Sequence, residues 1–283
     1  MPRFTGQGQA AGPITSQAQR PVQRQRHSVQ GSGVGVALSV VIPEFNEESR
    51  LPGFLGRVLV YLGSEFPNDF EIVVVDDGST DGTAAWLAEQ SKSENPLRVV
   101  RFPQNRGKGA AVRAGVAAST GELVLFCDAD GATPIEEERR LRWAIDAGAD
   151  VAVGSRFVPS PGVEVRRAAS RRIAGRLFTT FARWLLRPPV RDTQCGFKMF
   201  RGEVGRRLAS LAREPSYLFD LERLCLAERE GFKIAEVGVN WSEQPGSKLR
   251  VGRDAFRILQ SLRRLRRRLK RPPGASPSTE EGH

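Results

Sequence analysis

Short apolar runs alternate along this chain with stretches whose apolar residues recur every three or four positions. Runs at 38–43, 70–77, 97–102, 123–127 and 151–154 read as buried strands, each bounded by turn or polar residues. Leu51, Phe54, Leu55, Val58, Leu59 and Leu62 keep helical spacing and predict a helix from about 47 to 61, with Pro52 in its first turn, where a missing N–H costs little. Further helices are predicted over 84–90, after Gly109 with Val112 and Val116 on one face, and over 134–147. Strands alternating with helices imply βαβ units, hence an α/β fold with a mostly parallel central sheet flanked by helices.

In such sheets ligands bind beyond the carboxyl ends of the strands. Three of the predicted ends carry polar clusters: 44–48, 76–81 and 128–133. They are expected to converge on one cleft. The run at 123–127 ends in Asp128-Ala129-Asp130, and a strand's period of two puts both carboxylates on one side. Such a pair suits either a polar turn or a hard divalent cation, Mg²⁺ or Mn²⁺, shared with substrate phosphates. Gly107-Lys108-Gly109 opens a helix and offers backbone N–H groups to a phosphate, although neither a P-loop nor a complete G-x-G-x-x-G is present. Arg156 follows the last of these strands and is expected at the same edge.

Composition narrows the chemistry. The 283 residues include only two histidines, His27 and His283, both in polar terminal stretches. A Ser-His-Asp triad or a histidine zinc site inside the fold is therefore not expected. Cys127, Cys195 and Cys225 are odd in number and far apart, which suggests reduced thiols and a cytoplasmic setting. Catalysis falls to carboxylates, lysines, arginines and backbone. The net charge of +11 calls for an anionic partner: a phosphorylated substrate, a membrane surface or nucleic acid.

Charge and polarity also mark the boundaries. Residues 1–36 are rich in Gln, Gly, Arg and Ser and read as a disordered tail; 37–251 carry the α/β pattern; 252–271 read as a basic amphipathic helix; 272–283 read as a polar tail. No apolar run approaches the roughly 18 residues of a membrane span. Residues 166–187 mix basic clusters with Ile173, Leu177, Phe178, Phe181, Trp184, Leu185 and Leu186, while Phe256, Leu259, Leu262, Leu265 and Leu269 form a stripe beside many arginines. Both suit a helix lying on an anionic membrane; a helix packed on the domain is the second reading.

Taken in order, Val41-Ile42-Pro43-Glu44-Phe45-Asn46-Glu47-Glu48, Val75-Asp76-Asp77-Gly78-Ser79-Thr80-Asp81, Asn105-Arg106-Gly107-Lys108-Gly109 and Asp128-Ala129-Asp130 resemble the motifs of the family-2 glycosyltransferases of GT-A fold. Later stretches, 192–200, 219–222 and 239–249, resemble the polyprenyl-phosphate members, the dolichyl-phosphate glucosyl group more than the mannosyl group. The resemblance implies that Pro43, Phe45, Glu47 and Asp77 line the nucleotide pocket and that Lys108 lies near the base, ribose or diphosphate. It implies that Asp128 and Asp130 hold Mg²⁺ or Mn²⁺ on the diphosphate, with Ala129 between them. Arg156 and Arg171 would grip an acceptor phosphate. Asp192, Gln194, Asp220 and Glu222 would approach the sugar or support its pocket, with Lys248 in the last motif. Asp130, Asp192 and Arg156 are the implied catalytic residues. Ala132 stands where the mannosyl group carries a glutamine ligand.

The expected activity is inverting transfer of glucose from UDP-glucose to a polyprenyl phosphate, by an enzyme peripheral on the cytoplasmic face of a membrane. GDP-mannose as donor or a soluble acceptor are the alternatives within the fold. A nucleic-acid-binding protein is the alternative outside it; no RRM, KH or helix-turn-helix signature supports that class, and nucleic acid is not expected as a partner.

Overall fold

In a computed structural model of the chain, the described residues are 35–92, 96–166, 186–216, 218–244 and 261–269. The predicted amphipathic segment at 166–187 falls almost wholly outside them, as do Arg171 and Lys248. The first half follows the expected alternation: β1 (Leu38–Glu44), α1 (Leu51–Glu65), β2 (Phe70–Asp76), α2 (Thr83–Gln90), β3 (Leu97–Arg101), α3 (Lys108–Ala118), β4 (Leu123–Cys127), α4 (Glu138–Asp146, led in by a 3₁₀ turn Ile135–Glu137) and β5 (Val151–Ser155). There follow β6 (Val165–Arg166), β7 (Phe197–Arg201), α5 (Gly202–Leu211), α6 (Phe219–Arg229), β8 (Ile234–Gly238), β9 (Trp241–Ser242) and a helix over 261–269, here α7.

The main sheet has seven strands in the order β3-β2-β1-β4-β7-β5-β8, with β6 and β9 paired apart from it. β7 alone runs antiparallel to its neighbours, between β4 and β5. Its entry therefore lies at the edge where the parallel strands exit, with Cys127 paired to Phe197. Alternate side chains of each strand enter opposite layers. Val40, Ile42, Ile72, Val74 and Leu125 pack under α1 and α4. Val41, Val73, Val75, Val124 and Phe126 pack under α3, α5 and α6. Each such large apolar side chain, withdrawn from water, contributes about 1.5–3 kcal/mol. Sheet faces covered on both sides explain the unbroken apolar runs.

α1 begins at Leu51, four residues after the predicted start, because 47–50 form a turn whose Glu47 carbonyl accepts from the N–H groups of Arg50 and Leu51. α7 corrects part of the membrane expectation. Leu262 and Leu265 are fully buried against Leu218, Leu221 and Cys225 of α6 and the turn before it. This part of the apolar stripe is satisfied by the protein's own core and is not available to a bilayer. Arg263, Arg264, Arg266 and Arg267 remain on the outside. Among the described residues no helix is long and apolar enough to cross a membrane.

Candidate active site

The carboxyl ends of β1, β2, β4 and β5 and the start of β7 meet along one edge. The loop after β1 is stitched to the turn after β2. Asn46, at φ +54°, donates its N–H to Ser79 Oγ (2.9 Å), and its Oδ1 accepts from Thr80 N–H (2.8 Å). The Glu47 N–H reaches Thr83 Oγ1 (3.1 Å). Pro43 is buried at the end of β1, while Phe45 and Glu47 are half-buried; both Glu47 carboxylate oxygens accept from Arg50 (2.6 Å each).

Beneath this loop the sequence reading missed a pair. Glu44 and Asp76 close β1 and β2 side by side, in register and buried. Burial, and then the Asp76 carboxylate, push Glu44 up to about 8. A carboxyl whose folded value lies above its unfolded 4.5 loses stabilisation as pH rises between the two. Metal-free protein should accordingly lose roughly 2–4 kcal/mol between pH 5 and 8 through this group, and Glu44→Gln should flatten that slope in denaturant titrations. Equal slopes in the two proteins would remove Glu44 as the cause.

Asp77 turns outward to the next loop. Its Oδ1 accepts from Arg106 N–H (2.7 Å) and its Oδ2 from Gly107 N–H (2.9 Å). Gly107 sits at φ +94°, against Pro215, where a side chain would be both strained and blocked. This arrangement presents Lys108 at the start of α3. Its ammonium lies 2.6 Å from Asp128 Oδ1. Burial works against that charge, but Asp128, Asp220 and Asp130 together hold Lys108 above its ordinary value.

Asp128 is seated by its backbone N–H donating to Gly196 O (3.0 Å), and Gly196 leaves the space that the carboxylate fills: a side chain there would run into it. Two residues on, Asp130 is half-buried, with Oδ1 accepting from Ala132 N–H (2.9 Å). Burial, then Asp128, raise the Asp130 carboxyl above its usual range. Ala129 is buried between them. Ala132 adds no ligand; its carbonyl accepts from Ser242 N–H (2.8 Å). Two neighbouring carboxylates, Asp128 facing the Lys108 ammonium and Asp130 braced by the Ala132 N–H, are hard oxygen donors that fit Mg²⁺ or Mn²⁺. No group of three His, Cys, Asp or Glu converges among the described residues, so a cation there would draw its remaining ligands from substrate and water.

At the far end of the cleft Arg156, just past β5, makes a two-pronged contact with Asp192, Nε to Oδ2 and Nη2 to Oδ1, both 2.8 Å, and its N–H also donates to Oδ2 (2.9 Å). Burial would raise Asp192, but Arg156 overrides it and holds the carboxyl below its usual range. Trp241 lies against the guanidinium, 5.2 Å from its ring centre. Gln194 is half-buried and donates its N–H to Asp192 Oδ1 (3.3 Å).

Lys198 and Asp220 join the two ends of the cleft. Lys198, fully buried in β7, pairs with Asp220 at 2.7 Å and donates to Cys195 O at 2.5 Å. Burial raises Asp220, with Lys198 and Lys108 opposing it. The Phe126 ring has an ammonium near it from each lysine, Lys108 at 5.6 Å and Lys198 at 5.8 Å, and meets Phe219 edge-on. Lys198 is not among the residues singled out from the sequence; its place within the apolar run Phe197-Lys198-Met199-Phe200 is the available signal. Glu222 departs from the rest of the cluster. Its Oε2 accepts from Arg213 N–H (2.9 Å) and Glu214 N–H (2.6 Å), and its Oε1 pairs with Arg268 of α7 (3.0 Å). It ties a loop and the last helix to α6. The three cysteines are buried and free.

A mostly parallel sheet with acids at its strand ends, a lysine among them and an arginine–carboxylate clamp alongside is the arrangement expected of the GT-A glycosyltransferases that the sequence motifs resemble. The sequence agrees: the profile described as Glycosyl transferase family 2 matches residues 39–208, and the chain belongs to that family and is a glycosyltransferase. Similar curated proteins include the dolichyl-phosphate beta-glucosyltransferases of Dictyostelium discoideum (36% identical, covering 82% of this chain and 74% of that protein) and Homo sapiens (37%, covering 75% and 69%). A similar solved structure is glucosyl-3-phosphoglycerate synthase from Mycobacterium tuberculosis in complex with Mn²⁺ and uridine-diphosphate-glucose, with TM-score 0.62, 23% identity and coverage of 85% of this chain and 81% of that one. At that identity it attests the GT-A fold.

Proposed function

We propose that this glycosyltransferase moves glucose from UDP-glucose to a polyprenyl phosphate of dolichyl type, with inversion at the anomeric carbon. The observation that carries the reading is that relatives 33–38% identical, matched over three quarters or more of this chain, are dolichyl-phosphate beta-glucosyltransferases.

In the proposed reaction an acceptor phosphate oxygen forms a bond to the anomeric carbon. The bond from that carbon to the diphosphate breaks, and UDP leaves with the electron pair. An ionised phosphate needs no strong base, which suits a cleft without histidine. Pro43, Phe45 and Glu47 border the uridine side, and Asp77 sets the 105–107 loop against it. Lys108 balances the diphosphate charge. Arg156, pre-oriented by Asp192 and Trp241, receives the acceptor phosphate, so Asp192 acts as a positioning residue. Gln194 supports the Asp192 turn, Asp220 holds Lys198, and Glu222 braces the pocket from behind. A divalent cation held by Asp128 and Asp130 would supply electrostatic stabilisation of the leaving diphosphate. Work on a lipid acceptor calls for contact with a membrane surface, and the outward arginines of α7 are suited to anionic lipid.

The test incubates purified protein with labelled UDP-glucose or GDP-mannose, Mn²⁺ and polyprenyl phosphate in detergent. Label from UDP-glucose should enter the organic phase only when lipid phosphate is present. No labelled lipid with any donor, or transfer that proceeds without the lipid, would overturn the reading.

A further inference from the structure

Away from the cleft, α3 and α5 are separated by a groove of about 480 Å³ with an alanine floor that includes Ala110 and Ala209. Arg106, Arg113, Arg206 and Arg213 line it, and no acidic residue does. Among the described residues none of the four forms an ion pair with a carboxylate. The acid nearest in effect to Arg113, Glu222, is committed to the Arg213 and Glu214 N–H groups and to Arg268.

Three of the arginines are held in place. Arg106 stacks 4.7 Å from the Phe102 ring centre. Arg206 donates to Ser119 O (3.3 Å) and Gly121 O (3.1 Å), and Arg213 to Ser210 O (2.7 Å) and Ala212 O (3.0 Å). Arg113 has a buried Nη1 with no acceptor. Burial, then Arg213 and Arg106, hold its guanidinium below the ordinary value. Like charges gathered at a groove destabilise the empty protein, and an anion carrying several oxygens relieves them. Planar guanidinium forks bind phosphate oxygens in pairs, and the tetrahedral group offers enough oxygens to meet more than one arginine.

We propose that the groove between α3 and α5 is a second anion site, which takes a phosphomonoester or diphosphate group through Arg113 and Arg213. It lies behind the loop whose Arg106 and Gly107 N–H groups grip Asp77, so an occupant would touch the back of that loop.

Calorimetric titration of the full chain with inorganic pyrophosphate tests this, with EDTA present so that no cation draws the probe to the acid-lined cleft. Flotation with phosphatidate-containing and neutral vesicles forms the second arm. Arg113→Ala/Arg213→Ala should weaken binding by about tenfold or more, as expected for the loss of charged hydrogen bonds. Arg113→Gln alone, which leaves the Arg213 carbonyl contacts intact, should weaken it by at least about threefold. Lys92→Ala/Lys233→Ala, an equal loss of charge at exposed positions elsewhere, should bind as wild type. Loss of pyrophosphate binding assigns the site to soluble phosphates; loss confined to phosphatidate vesicles assigns it to lipid headgroups. Wild type binding neither probe, or the Arg113/Arg213 variants binding both as wild type does, overturns the site.

Discussion

Asp130→Asn is expected to lower glucosyl transfer by about 10³-fold while leaving the fold intact. The cation proposed at Asp128 and Asp130 is asked to supply several kcal/mol of charge stabilisation, and about 4 kcal/mol corresponds to three decades in rate. Asparagine keeps an Oδ1 to accept the Ala132 N–H, so the turn survives. It removes a carboxyl whose value burial and Asp128 raise. A raised carboxyl costs stability once pH exceeds its unfolded value, so the metal-free variant should be at least as stable as wild type near pH 8. Rate measured against Mn²⁺ concentration, beside a denaturant titration, separates the two effects. Full activity in the variant would refute the assignment; lost activity with a destabilised fold would reduce it to a structural role.

Lys198→Met is expected to cost about 3–5 kcal/mol, because it strands Asp220 in the core. The pair is 2.7 Å apart, with side chains 1% and 5% exposed. Asp220 is already raised by burial, and without Lys198 it rises further. The loss is therefore largest at neutral and alkaline pH and shrinks toward pH 4, where the carboxyl takes a proton. Lys198→Met/Asp220→Asn removes both charges and should recover most of the stability. It should not recover activity in full, since Asp220 also helps hold Lys108 charged. Unfolding free energies for the four proteins of this cycle decide the matter. An additive cycle would mean that the two groups do not act as a pair.

The strands that an apolar run and a turn residue announce, β1 to β5, stand where the periodicity put them, to within one residue at each end. β1, β2, β4 and β5 were legible because each meets a helix layer on both faces, which demands a nearly unbroken apolar stretch; the edge strand β3 is only half-buried and mixes apolar residues with exposed arginines. β7 and α6 were not named. In β7 a buried lysine interrupts the run. In α6, Asp220, Glu222 and Arg223 all face inward, so polar residues occupy positions that an amphipathic pattern assigns to solvent. The same inversion hid Glu44, which looked like the first residue of a polar loop and is the buried end of a strand.

The site divides along the same line. Asp77, Lys108, Asp128, Asp130 and Arg156 could be picked out because each lies at or just past a strand end or at a helix start, and parallel strands bring such ends to one edge whatever their lengths; Asp192, in the loop before β7, was marked only by its motif. Which carboxylate points where could not be read. Glu222 follows Asp220 by two residues, yet one pairs with Lys198 beneath the cleft and the other anchors α7 behind it. The leucines of 261–269 are patterned as a bilayer-facing stripe, and only the presence of Leu218, Leu221 and Cys225 opposite them decided for the core.

By itself, then, the order of apolar runs and polar ends determined the layered α/β fold, the edge that carries the chemistry and the acids and bases available there. Local patterning suffices for that, since it depends on residues a few positions apart. The tertiary structure decided the pairing of buried charges, the antiparallel insertion of β7 and the face that α7 buries. Each depends on partners tens of residues away, whose desolvation and mutual neutralisation no single stretch of sequence expresses.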